Sequence, residues 1–412
     1  MERFFNTEGP TRPEKHYCLP PLGRIDLAEV CTLIDREKYF VLHAPRQTGK
    51  TTCLLALRDH LNREGKYLCV YADVEVAQGF REQVEKGLSV ILREIAFTAQ
   101  RLGDENAERI RLKMEAEGTA SLSLANFLAQ WCAELKKPLV LMLDEIDSLV
   151  GDMLVTVLRH VRAGYPNRPA QFPQSVILCG VRDVRDYRLR LNAGKEVITG
   201  GSAFNIKAES LRLGDFDQKD LEALYRQHTE ATGQVFEPEA IRLAWDLTQG
   251  QPWLINALAY QACFRSVAGR DRSRPVTREM ILAAKEALIL ARVTHLHQLA
   301  DKLREERVRR VIEAILVGSE EPNALPADDI EYVADLGLVR LRPVLSIANP
   351  IYREVIPREL TYSTELMMTQ ETAWYVQPGG RLDADKLLSS FQSFFRANAE
   401  HWAERFDYKE AG

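Results

Sequence analysis

No apolar run in this 412-residue chain approaches the roughly 20 residues that a helix needs to cross a bilayer. The opening residues Met-Glu-Arg-Phe-Phe-Asn carry charge where an export signal carries an apolar core, so no membrane association and a cytoplasmic setting are expected. Cysteine is sparse and scattered. None of Cys18, Cys31, Cys53, Cys69, Cys132, Cys179 and Cys263 forms a C-x-x-C pair, which argues against a zinc ribbon and predicts buried, reduced thiols. The net charge is only −5, so no global positive field gathers nucleic acid or lipid headgroups, although local patches remain open. Internal repeats and low-complexity tracts are missing too, which sets aside solenoids and long disordered tails. With 46% hydrophobic residues, the chain has ample material for two to three packed domains.

The most informative segment is Ala44, Pro45, Arg46, Gln47, Thr48, Gly49, Lys50, Thr51, Thr52, directly after the apolar run Tyr39 to His43. An apolar strand handing over to Gly-Lys-Thr predicts a phosphate-binding loop. Phosphates need several backbone N–H donors aimed into one concavity, and a helix N-terminus behind the loop adds a dipole that favours anions. Lys50 is placed to reach the outer phosphates, and the Thr51 hydroxyl to ligate Mg2+. A helix over roughly 52–64 follows, with Leu54, Leu55, Leu57 and Leu61 at helical spacing. The loop departs from G-x-x-x-x-G-K-[ST] at its first position, where Ala44 replaces glycine; a residue with negative φ tolerates that change.

A phosphate loop needs a carboxylate on its metal side. The run Leu139 to Leu143 ends in Asp144 and Glu145, the pattern of a buried parallel strand whose C-terminal end opens into a crevice. Asp144 is expected to hold the Mg2+ shell and Glu145 to orient and deprotonate an attacking water. A solvated Asp-Glu helix start is the bland alternative, and the nearby phosphate loop makes it the weaker one.

Residues 1–24, rich in Pro and Gly, read as an ordered arm without regular structure. Over 25–213, strands alternate with helices: a helix at 27–35, strands at 39–43, 67–72, 138–143, 175–179 and 203–206, and helices near 79–100, 104–116, 121–136 (capped by Ser121) and 147–162. That alternation predicts a parallel sheet covered on both faces. Residues 214–300 are helical, with starts at Asp217 and Glu237-Pro238 and a Gly250-Gln-Pro252 segment between helices. Over 301–360 the pattern is two helices, two short strands and a helix from Asn349-Pro350, the outline of a winged helix. The extension 361–412 concentrates Phe391, Phe394, Phe395, Trp402 and Phe406, which are expected to pack on the body.

With these pieces in place, the chain resembles AAA-like P-loop ATPases of the archaeal-ATPase type, in the STAND signal-transduction group. The likeness rests on the phosphate loop, Leu-Met-Leu-Asp-Glu-Ile-Asp, Cys-Gly-Val-Arg-Asp, Gly-Gln-Pro and the closing Leu-Ser-Ile-Ala-Asn-Pro-Ile-Tyr-Arg-Glu, over roughly 20–358. It implies a P-loop NTPase parallel sheet followed by a helical lid and a winged-helix domain, with ATP and Mg2+ as cofactors. Arg182 matches the arginine that senses the γ-phosphate; its alternative is an ion pair with Asp183 or Asp186. Pro252 matches the proline packing on adenine, with Gly250 permitting close approach, and Arg24 in Leu-Gly-Arg borders the base, although Leu27 stands where the family usually has Glu. The resemblance implies an ATP-hydrolysing switch that assembles as a homo-oligomer or controls a protein partner. Arg159 and Arg162 are candidates for completing a neighbouring subunit's site. The competing expectation is an initiator or loader that binds DNA through the winged helix, against which Glu305, Glu306 and the acidic run at 328–335 count. The end of the chain lacks the separated Asp and Glu-x-Lys pattern of a metal nuclease.

Overall fold

Five parallel strands carry the architecture, and their faces follow from period-two alternation in the sequence. They are β3 (Tyr39–His43), β4 (Leu68–Asp73), β5 (Leu139–Asp144), β6 (Ser175–Gly180) and β9 (Lys207–Arg212), in the order β4-β5-β6-β3-β9. The computed structural model describes residues 2–81, 83–118, 123–182, 188–190, 197–199, 207–291, 301–317, 325–368, 375–377 and 381–393. Two short paired strands precede the sheet, β1 (Phe4–Phe5) and β2 (His16–Tyr17), and an antiparallel pair, β7 (Arg188–Arg190) and β8 (Val197–Thr199), sits between β6 and β9 in sequence.

In β5, Leu139, Leu141 and Leu143 face one layer while Val140 and Met142 face the other. The first layer is closed by α3 (Val84–Arg101), α4 (Asn106–Ala116), α5 (Leu124–Glu134) and α6 (Asp152–Ala163), which contribute Ile91, Ile95, Phe127, Trp131 and Leu158. The second is closed by α1 (Leu27–Asp35) and α2 (Lys50–Glu64) through Ile34, Leu54, Leu57 and Leu61. Both faces are therefore dry, which is why the strands read as continuous apolar runs.

The helix boundaries follow local chemistry. Asp26 caps α1 by accepting from the Glu29 N–H, and α2 stops at Gly65, whose φ of 76° suits glycine. Three sequence boundaries shift. The cap of α5 is Ser123, which accepts from the Asn126 N–H; Ser121, the expected cap, lies outside the described residues. The helix after the acidic strand begins at Asp152, because residues 146–148 turn as a 3-10 segment first. The fifth strand is Lys207–Arg212, whereas the expected strand at 203–206 lies outside the described residues. Lys-Ala-Glu-Ser-Leu-Arg escapes an apolar-run search because β9 is an edge strand, paired within the sheet with β3 alone.

Beyond the sheet come α7 (Gln218–Thr232), α8 (Pro238–Thr248), α9 (Pro252–Tyr260) and α10 (Arg278–Leu290). Asp217 and Asp220 form a reciprocal capping box that starts α7. Then follow α11 (Glu306–Val317), α12 (Ala327–Asp335), the antiparallel pair β10 (Val339–Arg340) and β11 (Ser346–Ile347), and α13 (Pro350–Met368). Residues 1–355 form one compact unit and 356–412 a second. In the second unit, Val376 bridges Leu382 and Phe391 is 59% exposed; Phe394, Phe395, Trp402 and Phe406 lie outside the described residues. No helix among the described residues is long and apolar enough to cross a membrane. Of the seven free cysteines, five are buried.

The N-terminal arm is held by buried side chains, and it contains the short β1–β2 pair where no regular structure was expected. Phe5 and Tyr17 are fully buried, their rings 4.9 Å apart, and Phe5 meets Tyr225 of α7 at 5.6 Å. Gln227 of α7 clasps the Cys18 backbone, accepting from its N–H at 3.1 Å and donating to its carbonyl at 2.9 Å.

Trp131 is the largest fully buried side chain among the described residues, and its indole N–H donates to Asp104 at 2.8 Å. Trp131→Ala should lower unfolding stability by about 3–5 kcal/mol, read from the midpoint of a urea titration. An unchanged midpoint would contradict the layer assignment.

Candidate functional site

The loop between β3 and α2 wraps a concavity at the C-terminal edge of the sheet. Gly49 has φ 92° and opens α2 directly, so the first-turn N–H groups of that helix point toward the loop. The Lys50 ammonium is buried and donates to the carbonyls of Ala44 at 3.0 Å and Pro45 at 3.1 Å, which holds its charge inside the loop. Ala44 itself is fully buried and absent from the positive-φ residues, so the departure from glycine costs nothing in backbone strain.

Thr51 meets the acidic strand. Its hydroxyl donates to Asp144 Oδ2 at 2.8 Å, and the Tyr71 hydroxyl donates to the same oxygen at 3.0 Å. Asp144 is fully buried, and its other oxygen accepts from the Glu145 N–H at 2.9 Å. Glu145 sits in the left-handed region at φ 54°, a conformation that costs a non-glycine residue about 1 kcal/mol or more. Burial pushes its carboxyl up to about 7, with Lys50 pulling the other way and Asp147 and Asp144 adding to the rise.

A cavity of about 570 Å3 lies over this loop, lined by Gln47 to Cys53, Tyr71, Asp73, Glu145, Phe216, Pro252 and Trp253. The arm supplies much of its remaining wall, from Asn6 to Thr11. Two bonds hold the arm there: Trp253 donates its indole N–H to the Thr7 carbonyl at 2.9 Å, and the Thr11 N–H donates to Thr52 Oγ1 at 3.1 Å. Thr52 therefore tethers the arm. Arg24 crosses under the loop, donating to the Thr48 carbonyl and, at 2.5 Å, to the Gly214 carbonyl, with its guanidinium 4.6 Å from the Phe216 ring centre. Desolvation holds its pKa below the usual arginine value.

The other predicted residues fall in different places. Pro252 lines this cavity at the first turn of α9. Gly250, at φ 89°, lies outside the lining; a Cβ there would come within 2.2 Å of the Phe216 carbonyl, and its own carbonyl accepts from the Phe216 N–H at 2.9 Å. Its closeness serves the turn that presents Phe216. Arg182 lines a second cavity and stands 4.6 Å from the Tyr332 ring centre; its proposed alternative partners Asp183 and Asp186 lie outside the described residues. Arg46 lines both cavities. Sequence reasoning missed Tyr71, Phe216, Trp253 and the arm. Tyr71 left a trace, an aromatic phenol one step before the end of an apolar strand, but Phe216 is a lone aromatic between charged residues.

The residues present fit a magnesium nucleotide. Thr51 and Asp144 are adjacent hard oxygen donors, and among the described residues no cluster of three or more His, Cys, Asp or Glu forms a dedicated metal cage. That is the sparse protein ligation Mg2+ takes when phosphates and water supply its other ligands. The buried Lys50 ammonium and the first-turn N–H groups give the anion its cradle.

Comparison with known proteins agrees with this geometry. The parallel sheet with helices on both faces and the loop between β3 and α2 define a P-loop NTPase fold. Within it, residues 34–187 match the family described as an AAA domain. A Walker-type ATPase of Pyrococcus abyssi is similar in fold, with TM-score 0.53 and 15% identity over 86% of this chain and 99% of that one. The ORC2 protein of Aeropyrum pernix, solved as ADPNP-ADP complexes, aligns with TM-score 0.45 and 16% identity over 82% of this chain and 92% of that one. No curated protein matches the sequence.

If Phe216 and Pro252 flank a base, Phe216→Ala should weaken ATP binding about tenfold while leaving inorganic tripolyphosphate binding at the loop nearly unchanged. Equal weakening of both ligands in calorimetry would show that Phe216 acts through the fold.

Proposed function

We propose that this protein binds ATP with Mg2+ over the 44–52 loop, hydrolyses it, and uses the nucleotide state as a switch. The observation carrying the reading is the convergence of Lys50, Thr51, Asp144 and Glu145 at one end of the sheet, from segments far apart in sequence. The loop N–H groups and Lys50 would bind the phosphates, and Pro252, Phe216 and Arg24 would border the base. Thr51 and Asp144 would hold Mg2+, which when bound neutralises charge on the phosphates. Glu145, partly withdrawn from water, is suited to orient a water and accept its proton as that water attacks the γ-phosphorus.

The switch would act through what the nucleotide touches. The arm is fastened to α7 through Gln227 and to α9 through Trp253, so closing the cavity on a nucleotide pulls on the lid helices. The output is assembly into a homo-oligomer or control of a protein partner, with Arg159 or Arg162 reaching a neighbouring site. DNA binding through the 301–355 segment is the less supported reading. Arg304, Arg307, Arg309 and Arg310 each lie within 4.0 Å of an acid of the same segment, Asp301, Asp329, Glu313 and Glu306 respectively, and such pairs offset a phosphate-binding face.

Glu145→Gln keeps the shape and removes the base. It should preserve ATP affinity within about threefold and lower turnover by 100-fold or more, within the range that general-base loss costs; unchanged phosphate release would remove Glu145 from that role. Light scattering behind size exclusion should show a larger particle for Glu145→Gln with ATP than without nucleotide. An unchanged mass would refute the assembly output.

A further inference from the structure

A second cavity, larger than the nucleotide pocket, opens beside the same sheet edge. Its volume is about 750 Å3, within the range of small-molecule sites. Three parts of the first unit wall it: the C-terminal edge of the sheet with the segments that follow β3, β4, β5, β6 and β9, the turn before α9, and the segment from Lys302 to Tyr352. The two cavities share one lining residue, Arg46. Space for a ligand here is therefore distinct from space for ATP.

The charge of its wall is one-sided. Among the described residues, Arg46, Arg182, Arg212, Arg340, Arg342 and Lys302 line it, against Asp147 and Asp215. Several of these groups are held by neutral oxygens: Arg212 donates to the Ala334 carbonyl at 3.2 Å, and Arg340 donates to the Gln249 side-chain oxygen at 2.9 Å and to its backbone carbonyl. Such bonds orient a guanidinium without neutralising it, and Asp215 in the same wall offsets part of the charge of Arg340 and Arg212. Lys302 is offset by Glu305 at 2.6 Å, and Asp147 spends one oxygen on the Val181 N–H at 3.1 Å. Positive charge concentrated in a walled cavity raises the local concentration of anions and strengthens their binding over that on an open surface.

We propose that this cavity is a second ligand site, for a small phosphorylated polyanion carrying two or more phosphate groups. A single carboxylate would leave most of the positive wall unbalanced, and the enclosed volume suits a small molecule better than a strand of nucleic acid. The ligand bridges the sheet edge, the lid turn and the 302–352 segment, so it fastens these parts together. Arg46 belongs to the phosphate loop, so occupancy here changes affinity for nucleotide there, and the coupling is reciprocal.

Calorimetry with inorganic tripolyphosphate, without Mg2+, tests this on the full chain. Lys50→Ala removes the principal cation of the nucleotide site; the variant should still bind one equivalent of tripolyphosphate. Adding Arg342→Glu, an exposed position, or Arg340→Gln should weaken that remaining binding about tenfold or more, with thermal melting confirming a folded chain. Loss of all binding in Lys50→Ala, or residual binding indifferent to both arginine substitutions, would overturn the proposal. The ATP reading fails separately, if the unaltered chain neither binds nor hydrolyses ATP.

Discussion

The hydrogen bond from Thr51 to Asp144 joins residues 93 positions apart and depends on the sheet order for its existence. It requires β3 and β5 to end at the same level with β6 between them, which the registers Leu42↔Cys179 and Leu143↔Leu178 supply. Asp144 is fully buried, so its charge must be answered by donors, and it receives them from Thr51, Tyr71 and the Glu145 N–H. A slip of one residue in β5 would turn Asp144 to the opposite face and strand Glu145 away from the loop, and a slip in β3 would carry Thr51 out of reach of Asp144. The two dry layers of the core thus do more than stabilise the chain. They hold two carboxylates and a hydroxyl in a geometry that short-range forces alone could not maintain.

The arm changes what the nucleotide cavity is. A loop and an acidic strand would leave an open groove, but Asn6 to Thr11 cover it and are tied to α9 by Trp253 and to the loop's own helix by Thr52. Each of these ties is a backbone group of the arm meeting a side chain of the body, so Trp253, Thr52 and Gln227 set the path of this stretch of the arm. The aromatic cluster around Phe5, Tyr17 and Tyr225 anchors its far end. In the proposed switch, this arm is what would couple nucleotide occupancy to the helices that follow the sheet.

The interior of this protein was legible in its sequence because buried parallel strands and glycine-lysine-threonine loops are both constrained by local chemistry. Apolar runs located β3, β5 and β6, and the acids closing β5 marked the crevice. What was illegible has a common cause: it depends on contacts between distant segments. The edge strand β9 is mostly polar, with Ala208 and Leu211 three positions apart, and nothing in Lys-Ala-Glu-Ser-Leu-Arg distinguishes it from a loop until β3 lies beside it. Phe216 becomes a candidate for the base only once Gly250 turns it inward. Gly250 was expected near the base, yet its freedom serves the Phe216 carbonyl. The arm looked irregular because its order is borrowed from the surfaces it touches.

The most direct test is a single-turnover measurement: trace ATP mixed with excess full-length protein, with phosphate release followed in Mg2+ and in EDTA. The account predicts release from bound ATP in Mg2+ and none in EDTA, since it proposes Thr51 and Asp144 as the residues that hold the ion. ATP that binds over the loop and stays intact in Mg2+, or is cleaved equally in EDTA, would contradict it.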